Sequence, residues 1–143
     1  MALVRQKAKL VAQGQGFDYI ISDGPSGIGG SVLSSSSGAD LALLVTEPTL
    51  SAIQDLERIV GVCHHCGVTA MVGINKYDLN EDNTRHIENY CLSQGIDIAS
   101  KIPFDTRVIE ALVQGLPAVE YCQGGVTSEI ERLWQVITKA LGK

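Results

Sequence analysis

Apolar residues along the chain follow two alternating patterns. Short continuous runs rich in β-branched residues, bounded by turn residues, predict buried strands at residues 19–21, 41–45, 68–74 and 96–102. Segments with apolar residues three or four positions apart predict helices. These helices cover residues 2–13, a segment through Val32 and Leu33, and residues 50–65, 81–93, 105–114 and 127 onward.

Strands that alternate with helices and read as unbroken apolar runs are typical of a parallel sheet covered on both faces. We therefore expect one α/β domain over residues 1–143, a three-layer sandwich with a mostly parallel sheet of about four strands. Thr127 is the predicted N-cap of the last helix. Apolar stripes predict the inward faces of three helices: Ile53, Leu56, Val60 and Cys63; Ile87, Tyr90 and Cys91; and Ile130, Leu133, Trp134, Ile137 and Leu141.

Composition and charge narrow the possible functions. The 143 residues are 45% hydrophobic, enough to bury a core, and carry a formal net charge of −5. That charge argues against nucleic acid or an anionic membrane surface as a direct partner. No apolar run approaches the roughly 18 residues that a membrane span needs, and the charged N-terminal segment lacks the apolar stretch of a signal peptide. We therefore expect a cytoplasmic location.

The segment Cys63-His64-His65-Cys66 has the form of a metal motif, with thiolate and imidazole ligands for zinc or an iron–sulfur cluster. Cys63 also continues the core stripe of its helix, and no second ligand pair follows at a suitable spacing. A tetrahedral site would therefore need ligands from another copy of the chain. The favoured interpretation is a structural helix end, with no iron–sulfur cluster within this chain and no disulfide framework among its four cysteines.

The first predicted strand ends at Asp23-Gly24-Pro25-Ser26-Gly27. A carboxylate at a strand end is suited to hold a water on Mg²⁺, because this cation prefers oxygen ligands and keeps part of its hydration shell. The glycines that follow let backbone amides approach a phosphate closely. The plainer alternative is a solvated aspartate followed by an ordinary turn.

The third predicted strand ends at Asn75-Lys76-Tyr77-Asp78, the N-K-x-D pattern of base recognition in nucleotide hydrolases. Asn75 offers a donor and an acceptor to a base edge, the Lys76 stem can lie along a base plane, and Asp78 can accept from amino and imino hydrogens. The alternative is a polar turn that caps the next helix, which begins near Asn80.

The fourth predicted strand ends at Pro103-Phe104-Asp105. Pro103 and Phe104 suit the wall of a base pocket, whereas Asp105 taken alone is favoured as the N-cap of the following helix. The three loops occur along the chain in the order metal or phosphate loop, base tetrad and base wall. This order is more specific evidence for a nucleotide site than any one of the loops.

With these loops the chain resembles the MinD/ParA group of P-loop ATPases, and most nearly the subgroup that contains an inserted ferredoxin-like iron–sulfur domain. The resemblance implies that ATP and Mg²⁺ are the cofactors. It covers residues 17–121 and rests on the segments Asp18-Tyr19-Ile20-Ile21-Ser22-Asp23-Gly24-Pro25, Gly38-Ala39-Asp40, Val45-Thr46-Glu47-Pro48-Thr49, Asp55-Leu56-Glu57-Arg58, Ile74-Asn75-Lys76-Tyr77-Asp78 and Ile102-Pro103-Phe104-Asp105.

The resemblance also implies roles for individual residues. Asp23 is the catalytic acidic residue that holds Mg²⁺ through water, and Asn75 contacts adenine. In this family such sites support ATP-dependent dimerisation, so self-association is expected. The other implied nucleotide-binding residues are Gly24, Pro25, Ser26 and Gly27 in the switch that senses the γ-phosphate, Lys76 and Asp78 beside the base, and Pro103, Phe104 and Asp105 at its border.

The P-loop of that family, a glycine-rich sequence ending in Gly-Lys-Thr or Gly-Lys-Ser, does not occur in the 143 residues, and neither does the cysteine-rich insert. Without the lysine and the amide cradle, we expect no ATP hydrolysis by the chain alone. We interpret the chain as the C-terminal portion of such an ATPase. Its expected partners are a P-loop half or a full-length homologue, with an iron–sulfur protein as a further candidate.

Two alternatives stay open at this point. One is a non-catalytic partner-binding module that keeps the fold. The other is half of a GTPase-like protein that reads guanine through the tetrad at residues 75–78.

A missing P-loop strand has a structural consequence. In this family that strand lies beside the one that ends at Asp23, so its absence leaves an unpaired apolar edge. We expect the gap to close by direct pairing of residues 19–21 with residues 41–45, because one continuous core stabilises a chain of this length better than a split one.

Overall fold

Three parallel strands form the sheet in the computed structural model, which describes residues 2–24 and 38–142. The strands are β1 (Leu41–Thr46), β2 (Thr69–Asn75) and β3 (Asp97–Ile102), in the order β1-β2-β3. In the register, Leu43 lies beside Met71, and a bulge between Val72 and Gly73 shifts the pairing with β3. The predicted parallel α/β fold is confirmed.

Helices connect and flank these strands. A 3-10 turn at Tyr77–Leu79 follows β2. The helices are α1 (Ala2–Gln15), α2 (Leu50–Cys66), α3 (Glu81–Gln94), α4 (Thr106–Val113), the short α5 (Ala118–Tyr121) and α6 (Gly125–Ala140).

The core lies between β2 and the helices α2 and α3. The predicted stripes of both helices are confirmed, because Ile53, Leu56, Val60 and Cys63 are buried on α2, and Ile87 and Cys91 on α3, with Tyr90 half-buried. Most of these side chains pack in one cluster with Val72 and Ile74 of β2. Burial of each large aliphatic side chain contributes about 1.5–3 kcal/mol, so this cluster stabilises the β2 strand that carries the tetrad.

Short polar caps place the helix starts close to the strand ends. Thr49, Asn80 and Asp105 are the N-caps of α2, α3 and α4, and each side chain accepts a hydrogen bond from a backbone N–H of the first turn. Gly67 and Gly95 end α2 and α3 in the left-handed conformation, which glycine adopts without steric cost. The strand-to-helix loops are consequently short and converge at one edge of the sheet.

The prediction of a strand at residues 19–21 is wrong. This segment carries no ladder to another described strand, and Ile21 is 81% exposed. The Tyr19 ring instead packs edge-on against Trp134, with 5.0 Å between ring centroids. The expected pairing of residues 19–21 with β1 is also wrong, because a groove separates them.

Part of the predicted switch lies outside the described residues. Pro25, Ser26 and Gly27 fall there, and so does the predicted helix through Val32 and Leu33.

The last helix also differs from its prediction. It begins at Gly125 with Gly124 as N-cap, whereas Thr127 donates its hydroxyl hydrogen to the Cys122 carbonyl at 2.6 Å. Val126 is its one buried residue. The five residues predicted to be buried line the groove instead: Ile130, Leu133, Ile137 and Leu141 are half-buried, and Trp134 is 43% exposed.

Candidate functional site

The loops after the three strands meet at the carboxyl edge of the sheet. Lys76, directly after β2, places its Nζ atom 2.7 Å from Oε1 of Glu47, which follows β1. Lys76 has a φ of 53°, and it is the one non-glycine residue with a positive φ in the described part of the chain. A lysine held in this sparsely populated conformation indicates a loop that its surroundings fix in place.

Two side-chain hydrogen bonds join α3 to the loops that follow β1 and β2. The Asn83 side chain donates to the Pro48 carbonyl at 3.0 Å, joining α3 to the loop after β1. The Thr84 hydroxyl donates to the Tyr77 carbonyl at 2.7 Å, joining the same helix to the tetrad. Since Thr84 is buried, this second bond is shielded from water, and the tetrad is anchored to the body of the domain.

The tetrad is also joined to the predicted base wall. The Phe104 backbone N–H donates to Oδ1 of Asp78 at 2.8 Å. Behind this loop, Gly125 lies so close to Pro103 that a Cβ added to the glycine would be 3.3 Å from Pro103 Cγ. The Asp78 carboxylate thus restrains the wall on the side of β2, and the packing of Gly125 against Pro103 restrains it on the side of α6.

Asn75 ends β2 beside these contacts. It is half-buried, and its side-chain amide makes no hydrogen bond to any other described residue. An amide carries both donors and an acceptor, so this side chain is free to bind the edge of a planar ligand.

Asp105, the third predicted residue of the base border, is engaged locally. Its carboxylate caps α4 through the Arg107 N–H and binds the Arg107 guanidinium at 2.6 and 3.0 Å. The hydrogen bond from the Arg107 side chain lowers the pKa of this carboxyl below its usual value. Arg107 also donates to the Gln123 carbonyl at 3.0 Å, which ties the start of α4 to the loop before α6.

Asp23 and Gly24 lie on a large groove beside the sheet. The groove has a volume of about 1590 Å³ and lies between residues 17–24 and the outer edge of β1, with α6 contributing side chains such as Leu133 and Ile137. Asp23 is exposed and shares this groove with Thr46 and Glu47 at the end of β1. The structure therefore places the predicted metal-side residue beside the loop after β1, whereas residues 75–78 and 103–105 do not line this groove.

The cysteine motif lies at a helix end. Cys63 is fully buried in the last turns of α2, and burial, with a smaller contribution from Cys66, raises the pKa of its thiol. All four cysteines are free, and no group of three or more metal-binding side chains occurs within residues 2–24 and 38–142. Nor does a helix in those ranges have the length and apolar character to cross a membrane.

Sequence patterns did not identify several of the residues that hold the site. Glu47 and Asn83 act through partners far away in the chain. The dipeptide Gly124-Gly125 at the start of α6 is a signal in the sequence for such a constraint: Gly124 has a φ of 91°, and Gly125 lies close to Pro103.

No family model matches the chain. Over 108 residues it is 32% identical to the septum site-determining protein MinD of Bacillus subtilis, an alignment that covers 72% of this chain and 40% of that protein. The fold is similar to that of the MinD cell division protein of Aquifex aeolicus, with a TM-score of 0.78, 21% identity and coverage of 94% of this chain and 58% of that one.

A second solved structure has the same fold. It is the septum site-determining protein MinD of Pyrococcus horikoshii complexed with Mg-ADP, with a TM-score of 0.69, 24% identity and coverage of 84% of this chain and 50% of that one. The chain thus spans about half the length of the MinD proteins that it matches. Its homologues are MinD-type P-loop ATPases, which confirms the predicted superfamily, whereas the likeness to the iron–sulfur subgroup stays a prediction.

Proposed function

We propose, from the premise that this chain is homologous to part of the MinD-type P-loop ATPases, that it supplies the base-side and metal-side loops of a Mg-ATP site. A P-loop segment completes the site. The observation that carries the proposal is that the loop after β2 is bonded to the loops after β1 and β3, at the end of a sheet whose outer strand β1 lines a groove.

The roles of the base-side residues follow from their contacts. The Asn75 amide binds the adenine edge, because the charged side chains of Lys76 and Asp78 are engaged with protein partners. Pro103 and Phe104 border the base, with Lys76 alongside. Asp105 contributes by capping α4 and so fixing the direction in which the wall leaves the sheet.

Of the metal-side residues, Asp23 and Gly24 lie at the groove. Asp23 holds Mg²⁺ through a water molecule, and Gly24, with Pro25, Ser26 and Gly27, contacts the γ-phosphate. The P. horikoshii MinD structure, which holds Mg-ADP, supports magnesium and an adenine nucleotide as ligands. The residues present suit a hydrated magnesium ion, since a carboxylate is a hard oxygen ligand for it.

The groove receives the P-loop strand. Among the described strands β1 pairs with β2 alone, so no described strand pairs with the N–H and C=O groups of its other edge. Leu41, Leu43, Leu133 and Ile137 give the groove an apolar lining, and they are half-buried at present. A parallel apolar strand in this space would pair with those backbone groups and bury that lining.

The phosphate cradle comes with that strand, so the chain by itself binds nucleotide weakly and does not turn it over. Each electrostatic contact in phosphoryl transfer contributes several kcal/mol, and the lysine and amides of the cradle are not in this chain. The same open edge favours self-association, and we place the protein in the cytoplasm.

ATP hydrolysis tests this function. The chain alone should be inactive, whereas the chain joined in one polypeptide to the P-loop-bearing segment of a MinD ATPase should hydrolyse MgATP and lose activity in Asp23→Ala. Asp97→Asn, at an exposed position at the start of β3, is the control. Turnover by the chain alone that Asp23→Ala abolishes would overturn the proposal. A folded joined protein that binds no nucleotide would instead favour a non-catalytic partner-binding module.

A further inference from the structure

Two side chains of the tetrad are bound to other loops of the site: Lys76 pairs with Glu47, and Asp78 binds the loop after β3. The Oδ1 atom of Asp78 accepts the Phe104 N–H at 2.8 Å across a sequence separation of 26 residues. Phe104 is directly preceded by Pro103 and followed by the N-cap of α4. A single carboxylate oxygen therefore fixes the position at which the chain turns from β3 into α4.

The other side of that turn is held by packing and by a hydrogen bond from Arg107. Gly125 lies against Pro103, and Arg107 is bound to the Gln123 carbonyl, so the loop is held from the side of α6. On the side of β2, the hydrogen bond to Asp78 restrains the backbone of the wall just beyond the last ladder pair, Asn75 and Ile102. Its loss would leave Phe104, which is 40% exposed, without its hydrogen bond to the tetrad.

We propose that Asp78 is a positioning residue that sets the base wall, and that it is not a reader of the base. This inference rests on the proposed function and deepens it, because it concerns which base the site accepts. A carboxylate that reads guanine directs its two oxygens at two adjacent N–H groups of the base, whereas Oδ1 of Asp78 is directed at the Phe104 N–H of the wall.

The base-reading group is then Asn75. Its amide presents one acceptor and one donor side by side, which matches the amino group and a ring nitrogen of adenine. The N-K-x-D sequence therefore binds adenine through Asn75, while Asp78 accepts a hydrogen bond from the protein backbone.

The two roles respond differently to conservative replacement. Asp78→Asn keeps an oxygen that accepts from Phe104, whereas Asp78→Ala removes it. Asp82→Ala, four residues away on the exposed side of α3, is the matched control, because Asp82 pairs with Arg85 and touches neither loop.

The first arm of the test measures amide hydrogen exchange of Phe104 by NMR in the full chain without nucleotide. Asp78→Ala should speed the exchange by about threefold to tenfold, while Asp78→Asn and Asp82→Ala should stay within about twofold of the unmodified chain. Unchanged exchange in Asp78→Ala would overturn the positioning role, whatever the fate of the proposed function.

The second arm compares MgATP and MgGTP binding in the chain joined to a P-loop segment. MgATP should bind more tightly than MgGTP, with affinity kept in Asp78→Asn and reduced about threefold to tenfold in Asp78→Ala. A preference for MgGTP that Asp78→Asn abolishes would overturn the inference. Binding of neither nucleotide would count against the proposed function, and the exchange of Phe104 alone then decides the role of Asp78.

Discussion

Nζ of Lys76 lies 2.7 Å from Oε1 of Glu47, so an ion pair joins the loops that follow β2 and β1. Both side chains are more than a third exposed, and water and salt therefore screen the pair. A double-mutant cycle of Glu47→Ala and Lys76→Ala should give a coupling free energy of about 0.2–1 kcal/mol that decreases in high salt. Urea unfolding measures it, and the more distant pair of Asp55 and Arg58 on α2, at 3.8 Å, is the comparison. A salt-independent coupling would show that the pair is not held by simple charge attraction.

The two glycines at the start of α6, the N-cap Gly124 and the first helical residue Gly125, should respond differently to replacement by alanine. Gly124→Ala should lower the free energy of unfolding by about 1–3 kcal/mol, because its φ of 91° is unfavourable for any residue with a Cβ. Gly125→Ala should cost about 1 kcal/mol and displace Pro103, which its Cβ would approach to 3.3 Å.

Gly61 provides the control for both glycine variants. It lies within α2 with nothing within 4 Å of an added Cβ, so Gly61→Ala should raise the free energy of unfolding by about 0.5–1 kcal/mol. Thermal and urea unfolding report all three values. Equal effects at the three positions would mean that the backbone at the start of α6 is not constrained as described.

The four cysteines should differ in their rates of alkylation. Cys66 is partly exposed, whereas Cys63, Cys91 and Cys122 are buried. Burial raises the pKa of Cys63, and it raises the pKa of Cys91 to about 11, so these two thiols carry little thiolate near neutral pH. Iodoacetamide labelling followed by mass spectrometry should modify Cys66 first. Cys91 should react appreciably only as the pH approaches its pKa or after unfolding, and early labelling of Cys91 would contradict its burial.

The open edge of β1 should make the chain self-associate. Val45 is 64% exposed on this strand, and a lysine there introduces charge at the edge. Sedimentation velocity should show a dimer or larger species for the unmodified chain and a shift toward monomer for Val45→Lys. Leu92→Lys, at an 80% exposed site on α3, should leave the distribution unchanged. A strictly monomeric unmodified chain at high concentration would contradict this expectation.

Local patterns of apolar residues correctly predicted the helices and strands that pack against other described residues of the chain. Apolar neighbours among the described residues surround the stripe from Ile53 to Cys63 and the apolar runs of β1, β2 and β3. The spacing of apolar residues in these segments therefore matches the side chains that are buried. The strand prediction at residues 19–21 is wrong because an apolar run becomes a strand only beside another strand. The same missing neighbour leaves Trp134 and Leu133 facing the groove instead of a core.

For the site, the sequence identified the loops but not their bonding. The spacing after the strands predicted Asn75, Lys76 and Asp78 as neighbours of Phe104, and the structure brings these loops together. That Asp78 binds a backbone N–H depends on the distance between two loops, which a pattern of residue types does not contain. The same holds for the contact of Asn83 with Pro48, 35 residues apart.

Titration calorimetry with MgATP tests the central claim most directly. Three samples are compared: the chain alone, a P-loop-bearing segment of a MinD ATPase alone, and the two joined in one polypeptide. We predict tight binding only in the joined protein, weakened about tenfold by Asn75→Ala and unchanged by Gln94→Ala at the exposed end of α3. Equal MgATP affinity of the chain alone and the joined protein, or full affinity in Asn75→Ala, would contradict the account.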